Sequence, residues 1–523
     1  MSSKITYVTL FADESIHPRY ESAVERFGRG LGQHYPMYIG TEEILSDAGE
    51  FEERSPIDTS IVLGHFQRGN EAHAKAAIEQ AKKSFTVWSR TPWQERIRVM
   101  EGAADLIDER KFEIAATITY EVGKTRLEAL AEAWEAVDAI RYYAKIMKEN
   151  EGYAKGMGPD APGEDCRMVC KPYGVWVVIS PFNFPFMLAN GMALGALITG
   201  NSVVLKPTSE AALVGLTMYR IYRDAGVPAG VVNYVSGPGA NFEKEFTSNR
   251  NVAGIAFTGS RDVGMRLYRQ FLSSQPYPKP VVAEMGSKNP TIVTSKADLG
   301  KAVEGIVRAA FGYGGQKCSA ASRVYVQRNV KAQFLDMLRA RVEQLSVGDP
   351  RKRDVFVGPV INETAVERFT TAVQDAKNDQ GVVVCGGRVL KAGEFAKGYY
   401  VEPTVISGLP SDHRLFKEEI FVPLLVVDEF ETLDEALMKA NDTEYGLTAG
   451  IFTEDPQEIR KFQDEIQFGV IYANRKGGAT TGAWPGAQTF VGWGASGATG
   501  RGVGGPHYLL NFVREQSQTV VSE

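Results

Sequence analysis

Cys318 lies in the run FGYGGQKCSAASR (311–323), where three glycines let the backbone approach a substrate closely and a lysine flanks the sulfur. A nearby cation and backbone dipoles lower a thiol pKa, so this setting suits a nucleophile that forms a covalent intermediate. A lone cysteine is more often a small buried hydrophobe, and the motif needs company to mean more. A second element with chemical meaning is FTGSRDVG (257–264). There a strand-like run ends in Thr-Gly-Ser and a helix-forming run follows, which leaves backbone N–H groups free to face a phosphate. Neither this run nor Gly237-Pro-Gly239 fits the six-residue glycine fingerprint of dinucleotide folds. Cys166 and Cys170 have no second pair or clustered histidines beside them, so no metal site is expected. Four cysteines in 523 residues exclude a disulfide scaffold and point to a reducing compartment.

These residues need a framework, and the composition says what kind. With 44% hydrophobic and 23% charged residues the chain is globular, and it is too long for one ordinary core. A net charge of −6 gives no reason to expect nucleic acid or an anionic membrane as partner. The first twenty residues are too polar for a signal peptide, and no apolar run is long enough to span a bilayer, so a cytoplasmic location is expected.

From Gly174 to Ser287, β-branched runs such as GVWVVIS, NSVVLKP, VAGIAFTGS and PVVAEMGS alternate with segments of helical period. That pattern predicts a mainly parallel, doubly wound sheet with ligand-binding loops after its strands. Residues 71–148 read as long amphipathic helices rich in Ala, Glu, Lys and Leu, expected to cover one face of the sheet. The Gly/Pro-rich stretch 152–165 reads as an exposed arm. A second α/β unit is expected from about Pro290 to Ala473. After Asn474 glycines multiply and aliphatics thin out, yet Trp484, Phe490 and Trp493 favour an ordered loop that lines something.

Taken together the fragments resemble the aldehyde dehydrogenase superfamily over nearly the whole chain. EVGK (121–124), SPFNFPF (180–186), VVLKPTSEAA (203–212), AGVPAGVVNYVSG (225–237), FTGS (257–260), EMGSKNP (284–290), GQKCSA (315–320), EEIFVP (418–423), YGLTAGIFT (445–453) and NR (474–475) occur in the family's order. The resemblance implies an α/β fold with a doubly wound NAD(P)-binding domain (1–150 and 169–285) and an α/β catalytic domain (286–480). It also implies a small oligomerisation arm (151–168 and 505–523), a substrate-anchor loop (481–504) and a homodimer or higher homo-oligomer.

The resemblance further implies that Cys318 attacks an aldehyde carbon and that the oxyanion is held by the Asn183 side chain and the Cys318 backbone N–H. Hydride then passes to nicotinamide, and Glu284 activates the water that cleaves the thioester. Glu284 follows three apolar residues at a strand end, a setting that places it in a cleft with a raised pKa. For the cofactor, Lys206 is similar to the lysine that binds the adenosine ribose, Ser260 to a pyrophosphate contact, Glu419 to the carboxylate on the nicotinamide ribose, and Phe421 to a residue packed near the nicotinamide. Ser209 stands where strictly NAD-dependent members carry a carboxylate, so NADP is expected to be usable beside NAD, with Glu210 one residue out of register.

GGQKCSAASR (314–323), SPFNF (180–184), LEALAEAWEAVDAIRYYAK (127–145) and NRKGGATTGAWPGAQTF (474–490) resemble, within the superfamily, the 1-pyrroline-5-carboxylate dehydrogenase branch, which oxidises L-glutamate γ-semialdehyde to glutamate in proline catabolism. That branch implies a substrate carboxylate anchored by Ser319, Gly482 and Ala483, an aliphatic chain between Phe184 and Phe490, and an amine-binding carboxylate at Glu135 or Glu128, seven apart near one helical face. Ser287, Val491 and His507 depart from the branch pattern, and the run 474–483 is about three residues longer than in relatives. Another semialdehyde or an aliphatic aldehyde is therefore the alternative substrate. A non-catalytic relative has no need of Asn183, Glu284 and Cys318 together, and a cofactor-free hydrolase has no need of Lys206, Ser260 and Glu419.

Overall fold

The β-branched runs between Gly174 and Ser287 form the centre of a seven-stranded sheet in the computed structural model, which describes residues 14–522. Its order is Val281–Glu284, Val252–Thr258, Val175–Ser180, Ser202–Pro207, Val232–Tyr234, Met37–Ile39 and Glu42–Ile44. The first five strands run parallel, Met37–Ile39 runs antiparallel to them, and Glu42–Ile44 turns back antiparallel to Met37–Ile39. Val175, Trp176, Val177 and Val178 are all buried, as expected of a strand covered on both faces. The chain starts at Val175–Ser180, works outward through Ser202–Pro207, then returns to the other side at Val252–Thr258. The strand order reverses there, and a crevice at the strands' C-terminal ends follows.

The helices do not lie as the sequence suggested. Glu71–Trp88, opened by an Asn70–His73 capping box, buries Ala74, Ala77, Ile78 and Ala81 against Val175, Val177 and Val204 on one face of the sheet. Trp93–Val122 and Arg126–Glu149 lie on the opposite side, a layer further out, packed on Pro185–Ile198 and Ala212–Asp224. The reason is Pro185–Ile198 itself, which is apolar all round and buried everywhere except at Leu188. It takes the place beside the strands that the amphipathic helices were expected to fill.

A second seven-stranded sheet, order Val382–Cys385, Thr404–Ser407, Leu424–Phe430, Ala321–Gln327, Asn289–Val293, Thr448–Phe452 and Val470–Ala473, is parallel except at its first pair. A three-stranded antiparallel sheet joins Ala154–Met157, Glu164–Pro172 and Val513–Val521, so the arm strand runs four residues past the 168/169 boundary drawn from sequence. Residues 474–504 are ordered and mostly turns; Trp484 is buried, whereas Trp493 is 49% exposed, on a two-residue strand paired with Tyr445–Gly446. Among the described residues, no helix is long and apolar enough to cross a membrane.

Candidate active site

The helix Leu299–Phe311 ends in a left-handed turn in which Tyr313, Gly314 and Gly315 have φ of 51°, 59° and 68°. Gly315 is required there: a Cβ would lie 2.5 Å from the Val422 carbonyl oxygen. The turn delivers Cys318, and Asn289, fully buried, fixes it by donating from Nδ2 to the carbonyls of Cys318 (2.7 Å) and Ala320 (2.9 Å). Burial first, then the charges of Glu419 and Glu284, push the Cys318 thiol up to about 12, against opposing N–H donors from Cys318 and Ser319. The lowering expected from the flanking lysine does not occur. Lys317 turns away into an ion pair with Glu128, Nζ to Oε1 2.7 Å.

Glu284 ends the strand Val281–Glu284, which is laced to the glycine-rich loop by Met285 N–H to the Ser496 carbonyl (2.9 Å) and Ala498 N–H to the Ala283 carbonyl (3.0 Å). Its Oε2 is buried with no hydrogen-bond partner. Burial raises its pKa to about 8, with a Gly492 N–H working in the opposite direction. The raised value agrees with the cleft setting expected from VVAEMGS.

Asn183 sits on the turn between Val175–Ser180 and Pro185–Ile198, 4% exposed. The turn is held by a pair that sequence reasoning missed. Glu132 accepts from the N–H groups of Phe186 (2.9 Å) and Met187 (3.0 Å) at the start of that helix and is paired with Lys124 at 2.7 Å, both side chains fully buried. The Lys124 ammonium also lies 3.3 Å from the Phe184 ring centroid. The signal was present in the EVGK motif, which ends in Lys124, but Glu132 looked like one helix carboxylate among many.

Three of the residues expected to hold a dinucleotide lie at the C-terminal ends of strands of the first sheet. Lys206 is the penultimate residue of Ser202–Pro207, Ser209 opens the next turn, and Ser260 follows Val252–Thr258, two strands away in the sheet, as the N-cap of Arg261–Ser274, accepting from Val263 N–H. Lys206 is 4% exposed, and burial brings its pKa down to about 8, opposed by the charge of Glu210. Glu419 accepts from Ser287 N–H at 2.7 Å; a Cβ on Gly286 would come within 2.6 Å of its other oxygen. Ser287 thus keeps the backbone contact and adds a hydroxyl that accepts from Asn289. Phe421 adopts φ 59° and packs edge-on against Phe182, centroids 5.9 Å apart. A buried lysine suited to ribose hydroxyls, a carboxylate in a glycine cradle and a free helix start fit a nicotinamide dinucleotide.

A cavity of about 340 Å³ opens on the other side of Cys318. It brings together Ser319, Phe184, Phe490, Gly482 and Ala483, and both Glu128 and Glu135. Glu128 Oε2 is buried without a partner, and so is Arg475 Nη1, while Arg475 Nη2 donates to the Gly482 carbonyl at 2.6 Å. Asn289, Lys124, Glu132 and Arg475 are the site residues to which the sequence reading gave no role. His507 is exposed, away from this cavity.

The aldehyde dehydrogenase family model matches residues 44–518. The 1-pyrroline-5-carboxylate dehydrogenase of Geobacillus sp. (strain WCH70) is 36% identical over 517 residues, 98% of each chain. The 1-pyrroline-5-carboxylate dehydrogenase 2 of Bacillus subtilis (strain 168) is 36% identical over 516 residues, 98% of this chain and 97% of that one. Among solved structures, 1-pyrroline-5-carboxylate dehydrogenase from Thermus with bound NAD matches with a TM-score of 0.93 at 35% identity over 98% of both chains. Betaine aldehyde dehydrogenase from Staphylococcus aureus in complex with NAD+ matches with a TM-score of 0.90 at 26% identity over 96% and 97%. The chain belongs to the aldehyde dehydrogenase family and is an NAD-dependent oxidoreductase.

Proposed function

We propose that this enzyme oxidises L-glutamate γ-semialdehyde, in equilibrium with 1-pyrroline-5-carboxylate, to L-glutamate. The observation that carries the reading is the cavity wall beside Cys318, which presents a buried unpaired carboxylate oxygen at Glu128 together with an unsatisfied guanidinium nitrogen at Arg475. Such a wall suits a substrate that carries both an ammonium and a carboxylate, and a plain aliphatic aldehyde would leave Glu128 Oε2 and Arg475 Nη1 without partners. Ser319, Gly482 and Ala483 supply further donors for the carboxylate, and Phe184 and Phe490 flank the methylene chain.

In this reading the Cys318 thiol gives its proton to solvent and Sγ bonds to the aldehyde carbon as the carbon–oxygen π pair moves onto oxygen. The carbonyl oxygen takes up the charge and is met by the Asn183 amide, which is 4% exposed, and by the Cys318 backbone N–H. NAD, when bound, supplies the acceptor for the hydride that leaves the former aldehyde carbon. Glu284 then takes a proton from water, the oxygen adds to the acyl carbon, and the Cys318 sulfur departs with the carbon–sulfur electron pair. Glu210 acts electrostatically on Lys206, so a carboxylate stands near the ribose site in spite of Ser209. It disfavours a 2′-phosphate and makes NAD the preferred dinucleotide over NADP.

Four free thiols suit a reducing compartment, and the reading places the enzyme in the cytoplasm. The exposed strand Val513–Val521, with Val520 and Val521 at a sheet edge, suits pairing of two copies through the arm.

Formation of NADH and NADPH with glutamate γ-semialdehyde, succinate semialdehyde and propanal, with Cys318→Ala as blank, tests the proposal. A clear preference for glutamate γ-semialdehyde with NAD is expected. Turnover of only the other aldehydes would keep the chemistry and remove the substrate.

A further inference from the structure

The three-stranded sheet Gln33–Tyr35, Val62–Gln67 and Glu50–Arg54 gathers on one face two of the chain's six histidines. His34 and His65 are register partners, and their rings stack with centroids 4.4 Å apart and planes 10° from parallel. Glu50 reaches across the sheet to His34, Oε2 to Nδ1 2.7 Å. One donor atom from each of His34, His65 and Glu50 lies within 4.8 Å of the other two.

The carboxylate is fixed from behind. Gln67, 2% exposed, donates from Nε2 to Glu50 Oε1 at 2.7 Å and to the Tyr35 carbonyl at 3.2 Å, and accepts from Ser46 N–H at 2.9 Å. A buried amide that orients a carboxylate beside two imidazoles is the outer support that metal sites use. Glu52, opposite His65 in register, is engaged by Arg54 and stays out of the donor set.

We propose that His34, His65 and Glu50 form a surface site for a divalent transition-metal ion of the zinc class, with water completing the coordination. Two imidazoles and a carboxylate are a zinc-type donor set, with bonds of about 2.0–2.2 Å that put donors roughly 3.4 Å apart. The observed spread closes to that value by rotation of His34, whose side chain is 68% exposed. A bound ion pins three strands of the nucleotide-binding half together. Glu53, on the same strand as Glu50, accepts from Ala212 N–H at the start of the helix that follows Lys206, so the clamp braces the element behind the cofactor crevice.

The test is a Co(II) titration of full-length, chelator-stripped protein followed by visible absorption, with Zn(II) as competitor. The expected result is one Co(II) per chain, ligand-field bands without sulfur-to-metal charge transfer, and displacement by Zn(II). The missing sulfur bands separate the site from Cys318 and the arm cysteines. His34→Ala and His65→Ala each weaken binding by more than about ten-fold, and Glu50→Gln, which keeps an oxygen for Gln67, weakens it as well, while aldehyde turnover stays at the native level in all three. Absence of binding in Co(II) excess, bands of thiolate ligation only, or unchanged affinity in His65→Ala would overturn the proposal.

Discussion

The floor of the cavity and its far wall are built on different terms. At the floor, Cys318, Asn183 and Glu284 lie at the ends of rigid elements, and buried polar contacts from Asn289 and from the Lys124–Glu132 pair hold the first two in place. The wall, residues 474–504, consists mostly of turns, tied down by scattered contacts: backbone bonds to Ala283 and Met285, Trp484 Nε1 to Asp138 Oδ2 at 2.7 Å, Thr480 Oγ1 to the Ser319 carbonyl at 2.7 Å, and Arg475 to the Gly482 carbonyl. The reacting atoms are met where the backbone is over-determined, and the rest of the substrate is met by a loop. Changes in this loop can therefore reshape the substrate pocket and leave the reaction intact.

If that division is right, damage to the floor and to the wall must look different in kinetics. The largest effect is expected from Cys318→Ala, which removes the nucleophile and should lower kcat by about 10⁴-fold or more with every aldehyde, measured as NADH formation. Comparable losses limited to one aldehyde would break the comparison.

Glu284→Gln should cost about 10²–10⁴-fold in turnover. Because the native carboxyl is held near 8, turnover should fall as the pH drops below about 8, where the base becomes protonated. Stability runs in the opposite direction. A folded pKa raised above the ordinary 4.5 contributes stability that is complete below that value and lost as pH rises through about 8. Melting curves should show Glu284→Gln gaining on the native enzyme across that window, by a few kcal/mol at most.

Between floor and scaffold stands the Lys124–Glu132 pair. Glu132→Ala leaves a buried ammonium alone and should destabilise the protein by about 3–5 kcal/mol in denaturant titration. Loosening the Asn183 turn should then lower kcat more than it raises KM in the fraction that folds. The smallest effects belong to the wall: Ser319→Ala and Glu128→Gln should each raise KM for glutamate γ-semialdehyde by about ten-fold, the equivalent of one lost hydrogen bond to a charged group, and leave propanal nearly untouched.

Much of the floor was legible because its motifs lie at strand and helix ends, where a short run of sequence fixes both the backbone and the residue that emerges from it. VVAEMGS reads as a strand ending in a desolvated carboxylate, and FTGSRDVG as a strand, turn and helix start, without tertiary information. What the sequence hid was long-range pairing. The flanking Lys317 promised a lowered thiol pKa, but its partner Glu128 lies 189 residues away and removes it. His34 and His65 are separated in sequence and meet only because their strands pair. The helix layering was misjudged because amphipathic period shows that a helix has a buried face but not what lies against that face.

The most direct test of the central claim is a rapid-quench experiment on Glu284→Gln with NAD and glutamate γ-semialdehyde, read by absorbance and by mass spectrometry of the Cys318 peptide. The account predicts a burst of one NADH per active site, followed by almost no turnover, with the acyl mass retained on Cys318. Steady turnover at the native rate, or a burst that leaves Cys318 unmodified, would contradict it.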